Sequence, residues 1–285
     1  MRILIVSGSR ADLGLLHCPE KVLREDGHQV QLWPIKADPI NTRRGEYISG
    51  AFASACTLIS DIIHSNHPDM LLVLGDRFEI MGAATAAHLQ RIPIAHIGGG
   101  DVTEGSYDDA MRDCISRMAT IHFTTSFSAT ARLVGMGYRN VHLVGNPAVD
   151  YIMHEAWQRE REVAEPYVLV SYQPETIDDT VDLKAVNAAI GSRQAVWVSP
   201  NPDRGAERIQ GGSSYSHDRF LNLMFHCDEF IGNSSAMFYE APFLKTGGVK
   251  CRVIGKRQRG RVIPWGGDAK CSERIRDVLR LWPAS

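Results

Sequence analysis

The stretch Phe230-Ile231-Gly232-Asn233-Ser234-Ser235-Ala236-Met237-Phe238-Tyr239-Glu240 carries residue types suited to holding an anion. A short apolar strand, Glu229 to Ile231, runs into Gly232 and Asn233. Two hydroxyls follow at Ser234 and Ser235, and then a helical pattern with Met237, Phe238 and Ala241. Asn or Ser at a helix start accepts a bond from a free N–H, and the remaining N–H groups with the positive end of the dipole favour phosphate. Glu240 falls one to two turns along, within reach of a hydroxylated group attached to that phosphate. An ordinary capped helix would use the same residues.

Five other stretches carry candidate polar residues, four of them directly after apolar runs. Ser7-Gly8-Ser9-Arg10-Ala11-Asp12 is a small-residue turn whose cation can meet a phosphate bidentately, or simply stay solvated. It lacks the third glycine of the dinucleotide fingerprint, which argues against a nicotinamide enzyme. Gly75-Asp76-Arg77-Phe78-Glu79 puts Asp76 at the end of a strand, as a helix cap or a general base. Gly98-Gly99-Gly100-Asp101 lets backbone approach a ligand closely. Asp108 and Arg112, four apart, share one helix face as a surface ion pair or as an acid/base with its charge partner. Gly255-Lys256-Arg257-Gln258-Arg259-Gly260-Arg261 carries four cations that suit a phosphate grip, a nucleic-acid contact or a solvated face.

The elements that must position these residues are legible. Apolar runs at Ile3–Val6, Val30–Trp33, Met70–Leu74, Ile94–Ile97, Ile121–Thr124 and Val141–Val144 alternate with helical patterns, clearest at Ile48–Ser65, Gly82–Gln90 and Asp108–Met118. Continuous apolar strands separated by helices predict an α/β fold with a parallel sheet covered on both faces. In such sheets ligands bind outside the carboxyl ends of the strands. A charged helix around Tyr151–Pro166 reads as the hinge between residues 1–160 and a second domain, 161–285. The second domain has strands at Tyr167–Tyr172, Ala195–Ser199, Glu229–Ile231 and Lys250–Ile254, with loops at Gln173-Pro174-Glu175 and Pro200-Asn201-Pro202.

Composition narrows the function classes. A hydrophobic content of 44% in 285 residues suits a soluble protein with a large core, and a net charge of −2 predicts no general affinity for nucleic acid or anionic membrane. No apolar run approaches the roughly 18 residues needed to span a bilayer. Met1–Gly8 reads as a buried strand rather than a signal peptide. Six scattered cysteines without a Cys-x-x-Cys pair are expected to be reduced and buried, in a cytoplasmic protein. Eleven histidines show no clear ligand spacing, so neither metal nor cofactor is expected.

In order along the chain, Ser9-Arg10-Ala11-Asp12, Gly75-Asp76-Arg77-Phe78-Glu79, His96-Ile97-Gly98-Gly99-Gly100-Asp101-Val102-Thr103, Asp108-Asp109-Ala110-Met111-Arg112, Gly145-Asn146-Pro147, Gly232-Asn233-Ser234-Ser235 … Glu240 and Gly255-Lys256-Arg257-Gln258 resemble the hydrolysing UDP-N-acetylglucosamine 2-epimerases of the sialic-acid branch. The resemblance covers nearly the whole chain. It implies two Rossmann-like domains of glycosyltransferase-B type with a nucleotide-sugar in the interdomain cleft, elimination of UDP, and hydration of the glycal to N-acetylmannosamine. It also implies that Ser234 and Ser235 hold the diphosphate, Glu240 the ribose and Arg10 a phosphate. Gly232, Asn233, Gln173, Asn201 and Arg257 complete the binding set. Asp76, Asp101, Asp108 and Arg112 fall on catalytic-cleft positions, with Asp76 or Asp108 as the base and Arg10 and Arg257 supporting the departing charge. A homodimer is a further implication.

Several positions depart from the family pattern. Gly98 stands where an acid is common, Asp101 is one methylene shorter than the usual Glu, Gln173 replaces a histidine and cannot shuttle protons, and Asp113 stands where a histidine often follows the Arg. The segments around Ala37–Gly45 and Ile209–Ser216 are short. Binding positions are thus retained better than acid/base positions. A UDP-sugar glycosyltransferase on the same scaffold, with a polyanionic acceptor such as hydroxylated-base DNA on the Lys256–Arg261 loop, is the alternative. A non-catalytic nucleotide-sugar binder is the third reading.

Overall fold

A computed structural model describes residues 1–35, 48–201, 203–209 and 211–282; the side chains of Arg10 and Ala11 also lie outside the described part. The short segment around Ala37–Gly45 falls outside it too. Two parallel sheets form the frame. The first contains β1 (Arg2–Ser7), β2 (Gln29–Pro34), β3 (Met70–Leu74), β4 (Ile94–Ile97), β5 (Ile121–Thr124) and β6 (Val141–Leu143). Its order is β2-β1-β3-β4-β5-β6, and every pairing is parallel. The second contains β7 (Val168–Ser171), β8 (Ala195–Trp197), β9 (Glu229–Gly232) and β10 (Cys251–Val253), in the order β10-β9-β7-β8, again parallel. The two Rossmann-like sheets and the interdomain cleft agree with the expectation.

The helices α1 (Arg10–Glu25), α2 (Ile48–Asn66), α3 (Phe78–Leu89), α4 (Asp108–Met118), α5 (Phe127–Gly135) and α6 (Pro147–His154) flank the first sheet. Two apolar clusters lie on its opposite faces. One is built around Ile3, Ile5, Leu72 and Phe123, the other around Leu4, Val6, Leu71 and Val73. Alternate residues of one strand thus feed opposite cores, which is why the strands read as unbroken apolar runs.

The second sheet carries α7 (Leu183–Ile190), α8 (His217–His226), α9 (Ala236–Tyr239) and α10 (Cys271–Arg280) follows it. The last helix returns to the first sheet. Cys271, Ile275 and Leu279 join the core of β1 and β3, and the Asp150 carboxylate of α6 accepts the free N–H groups of Cys271 (3.0 Å) and Ser272 (2.6 Å). The first core therefore draws on both ends of the chain.

Three local expectations are corrected. Residues 158–162 are not helical. The carbonyls of Gln158 and Glu160 accept from the Asn222 amide, and that of Arg159 bonds His226, so side chains of α8 hold this irregular segment along its surface. The helix after Ser235 is a single turn, because Pro242 supplies no N–H and disfavours a helical residue before it. Cys114 is exposed, while Cys18, Cys227 and Cys271 are buried; all six are free thiols. Among the described residues, no helix is long and apolar enough to cross a membrane.

Candidate active site

In each sheet the chain leaves in opposite directions from two adjacent strands, β1 and β3 in the first, β7 and β9 in the second. Such switch points open a crevice at the carboxyl strand ends. Here the two crevices face each other across one cleft of about 230 Å³. Asp12, Asp76, Gly98, Asp101 and Arg112 line it from the first unit, and Gln173, Asn201, Asn233, Ser234, Ser235, Glu240 and Arg257 from the second.

The first-unit side is a charge network centred on Arg112, whose side chain is 1% exposed. Its guanidinium donates to the Asp76 and Asp109 carboxylates, to the Asp101 carbonyl (2.8 Å) and to Thr103 Oγ1 (2.9 Å). Asp109 also accepts the Thr103 N–H at 2.7 Å. Burial, with Arg261 adding to it, pushes the Arg112 pKa down to about 9, which leaves it a cation at neutral pH. The expected Asp108–Arg112 pairing is not what forms. Arg112 takes Asp109, three residues before it, and Asp108 turns to Arg257 (3.4 Å) and does not line the cleft. Both spacings put a carboxylate on the same helix face, so only the packing decides between them.

Asp101 accepts from Thr125 Oγ1 (3.1 Å), Arg261 Nη1 (3.2 Å) and the Tyr239 hydroxyl, so the second unit's residues reach across to grip it. Burial and the neighbouring Asp101 raise the Tyr239 pKa well above its ordinary value, keeping it a neutral donor. Thr125, Tyr239 and Arg261 went unrecognised in the sequence as Asp101 partners. Asp12 is another addition. Its carboxylate accepts the Gly8 N–H at 3.1 Å, and burial, opposed by Arg77, lifts its pKa to about 6. Asp12 stands in the turn that the sequence singled out for Arg10, whose own side chain lies outside the described residues.

His96 is fully buried and bonded to Gly75 O (2.8 Å) and Ser116 Oγ (3.1 Å). Burial lowers its pKa to about 4, so it is a neutral brace that ties β4 to the turn bearing Asp76. Gly98, at φ +86°, has only the Gly75 N within 4 Å of where a Cβ would stand. Asp113 pairs with Arg132 at 3.4 Å and does not line the cleft.

The second-unit side is built from backbone. Gly232 has φ +140°, and a Cβ there would lie 1.9 Å from Ser171 O, so the chain can pass only as glycine. Asn233 does not cap a helix. Its amide grips the Gln173 backbone at both ends, accepting from N (2.6 Å) and donating to O (2.8 Å). Gln173 Oε1 in turn accepts the Asn201 N–H at 2.8 Å. The residue replacing histidine thus ties the loops after β7 and β8 together. Ser234 Oγ accepts the Ala236 N–H (3.3 Å), and Ser235 makes no capping bond.

The four-cation run splits. Arg257 and Arg261 turn inward, 9% and 7% exposed, onto Asp108, Asp203 and Asp101, whereas Lys256 pairs with Asp178 (2.5 Å) at the surface. Arg257 Nε is buried without a hydrogen-bond partner. The loop therefore divides its cations evenly, with Arg257 and Arg261 lining the cleft and Lys256 and Arg259 exposed on the outside. Arg77 of the first unit also meets Asp203 of the second (3.3 Å). Burial would raise the Asp203 pKa, but Arg77 and Arg257 outweigh it and hold it below the ordinary carboxylate value.

Comparison with known proteins agrees with this architecture. The family model described as UDP-N-acetylglucosamine 2-epimerase matches residues 22–265. The polysialic acid biosynthesis protein P7 of Escherichia coli is 27% identical, over 92% of this chain and 80% of that protein. A UDP-N,N′-diacetylbacillosamine 2-epimerase (hydrolyzing) of Legionella pneumophila is also 27% identical, over 91% and 82%. The Methanocaldococcus jannaschii UDP-GlcNAc 2-epimerase, solved with UDP-GlcNAc and UDP, superposes with a TM-score of 0.78 over 99% of this chain and 100% of that one, at 15% identity. The fold is that of the glycosyltransferase-B type, and the chain belongs to the UDP-N-acetylglucosamine 2-epimerase family.

Proposed function

We propose that this protein is a hydrolysing UDP-N-acetylglucosamine 2-epimerase. The observation that carries the reading is the opposition, across one cleft, of the Gly232–Ser235 turn and Glu240 to Asp76 and Asp101. The diphosphate lies against Ser234 and Ser235, with Arg257 lining the same cleft. The ribose lies toward Glu240, and the sugar toward the two aspartates.

The chemistry needs two proton transfers. A base removes the C2 proton, its electron pair forms the C1=C2 bond, and the C1–O bond breaks to release UDP. Water then adds its oxygen at C1 and a proton arrives at C2 on the opposite face, giving N-acetylmannosamine. Inversion at C2 suits two carboxyl groups lining different parts of one site, and Asp76 and Asp101 are such a pair. Arg257 and Arg261 are cations that can offset the charge of the leaving diphosphate. Asp108, turned to Arg257, then serves to orient that cation rather than to take the proton.

Incubation with UDP-N-acetylglucosamine alone tests this. Release of UDP with N-acetylmannosamine is expected, with deuterium incorporated at C2 in heavy water. UDP release only after an acceptor is added would transfer the reading to a glycosyltransferase. UDP binding with no turnover at all would leave a nucleotide-sugar binder.

A further inference from the structure

Helix α1 has a glycine, Gly14, in its interior, where glycine costs about 1 kcal/mol relative to alanine. The reason lies across the cleft. A Cβ at Gly14 would stand 2.4 Å from Nδ1 of His217, the first residue of α8. The His217 ring also packs edge-on to Tyr151 at 4.5 Å between centroids, and the Tyr151 hydroxyl is already committed to Asp218 (2.5 Å).

The imidazole lines the cleft, is 11% exposed, and neither of its ring nitrogens has a hydrogen-bond partner. The nearest acidic group is Glu240, with Oε1 3.8 Å from Nε2, beyond hydrogen-bond range. Leaving two buried polar atoms unpaired is unfavourable, and such groups call for an explanation. Here packing from two units fixes the ring in that state beside a carboxylate.

We propose that His217 is a nucleoside-recognition residue that bonds a ribose hydroxyl together with Glu240; this rests on the nucleotide reading above. The pairing selects a hydroxyl over an anion, because the Glu240 carboxylate repels phosphate while a hydroxyl donates to it and still accepts from an imidazole N–H. A cis-diol offers two such groups, so the site favours a ribonucleotide over its deoxy form.

Calorimetry with UDP, 2′-deoxy-UDP and 3′-deoxy-UDP decides the matter. The wild type is expected to bind UDP roughly three- to tenfold more tightly than at least one deoxy analogue, the scale of one hydrogen bond. His217→Phe keeps a ring against Gly14 and should lose that margin, weakening UDP more than the deoxy analogue. Gly14→Ala, which displaces the ring while favouring helix α1, should weaken UDP in the same way and guards against a His217→Phe variant that fails to fold. If both variants bind UDP as the wild type does, or if they weaken all three nucleotides equally, the His217 assignment is overturned and the nucleotide site stands. If the wild type binds no UDP, the nucleotide reading itself falls, and this assignment with it.

Discussion

The two walls of the cleft are held by different forces. The first unit's wall is held by charges: Arg112 on Asp76 and Asp109, and Arg261, reaching over from the second unit, on Asp101. The second unit's wall, from Gly232 to Ser235, is fixed by backbone geometry and by one amide clamp between Asn233 and Gln173. Charges that are paired and buried cost much when one partner is removed. A hydroxyl or carboxylate on a backbone-built turn can be removed with little damage to the frame. The first wall is therefore suited to chemistry that needs carboxylates at fixed positions, and the second to holding a ligand.

This contrast can be broken by experiment, beginning where the effect should be largest. Asp76→Asn or Asp101→Asn should lower kcat about 10²- to 10⁴-fold with little change in UDP affinity, measured by steady-state kinetics and calorimetry. An equal loss in UDP affinity would erase the division between the walls. Arg112→Met leaves two carboxylates without their buried cation and should cost about 3–5 kcal/mol in urea unfolding. A cost near zero would mean that the network does not fix the first wall.

On the second wall, Ser234→Ala and Glu240→Ala should each weaken UDP binding about tenfold and leave the urea midpoint nearly unchanged. Unchanged affinity would remove the diphosphate from this turn. The smallest effect concerns Asp12, which is only partly exposed. Its folded pKa, about 6, lies above the unfolded value, so its contribution to stability is present below about pH 4 and lost as pH rises through 6. Asp12→Asn should flatten that part of the stability–pH curve and be more stable than the wild type at pH 7 by about 1–2 kcal/mol. Parallel curves for the two proteins would show that Asp12 is not held in a disfavoured charged state.

Much of the frame is readable from residue order. The strand at Met70–Leu74 and the helix at Asp108–Met118 sit where the apolar pattern puts them, because fully buried parallel strands must be apolar throughout. Segment 158–162 misleads because its charges resemble a solvated helix face, whereas its carbonyls bond side chains more than sixty residues away in sequence. The turn after Ser235 misleads in the other direction. A serine pair before apolar residues reads as a helix start, but the chain turns again at Pro242 after one helical turn. Gln173 reads as a lost proton carrier, and its role in joining two loops emerges only once Asn201 and Asn233 are beside it.

Local order in the chain determined which residues could do chemistry and where each would stand, at the carboxyl end of a named strand, because strand periodicity and glycine turns are local properties. The partners were decided by tertiary structure alone. Asp109 and not Asp108 on Arg112, Tyr239 and Arg261 on Asp101, and His217 over Gly14 all depend on how two sheets face each other. Electrostatic pairing and desolvation act through space at a few ångströms, and sequence separation carries no information about such distances.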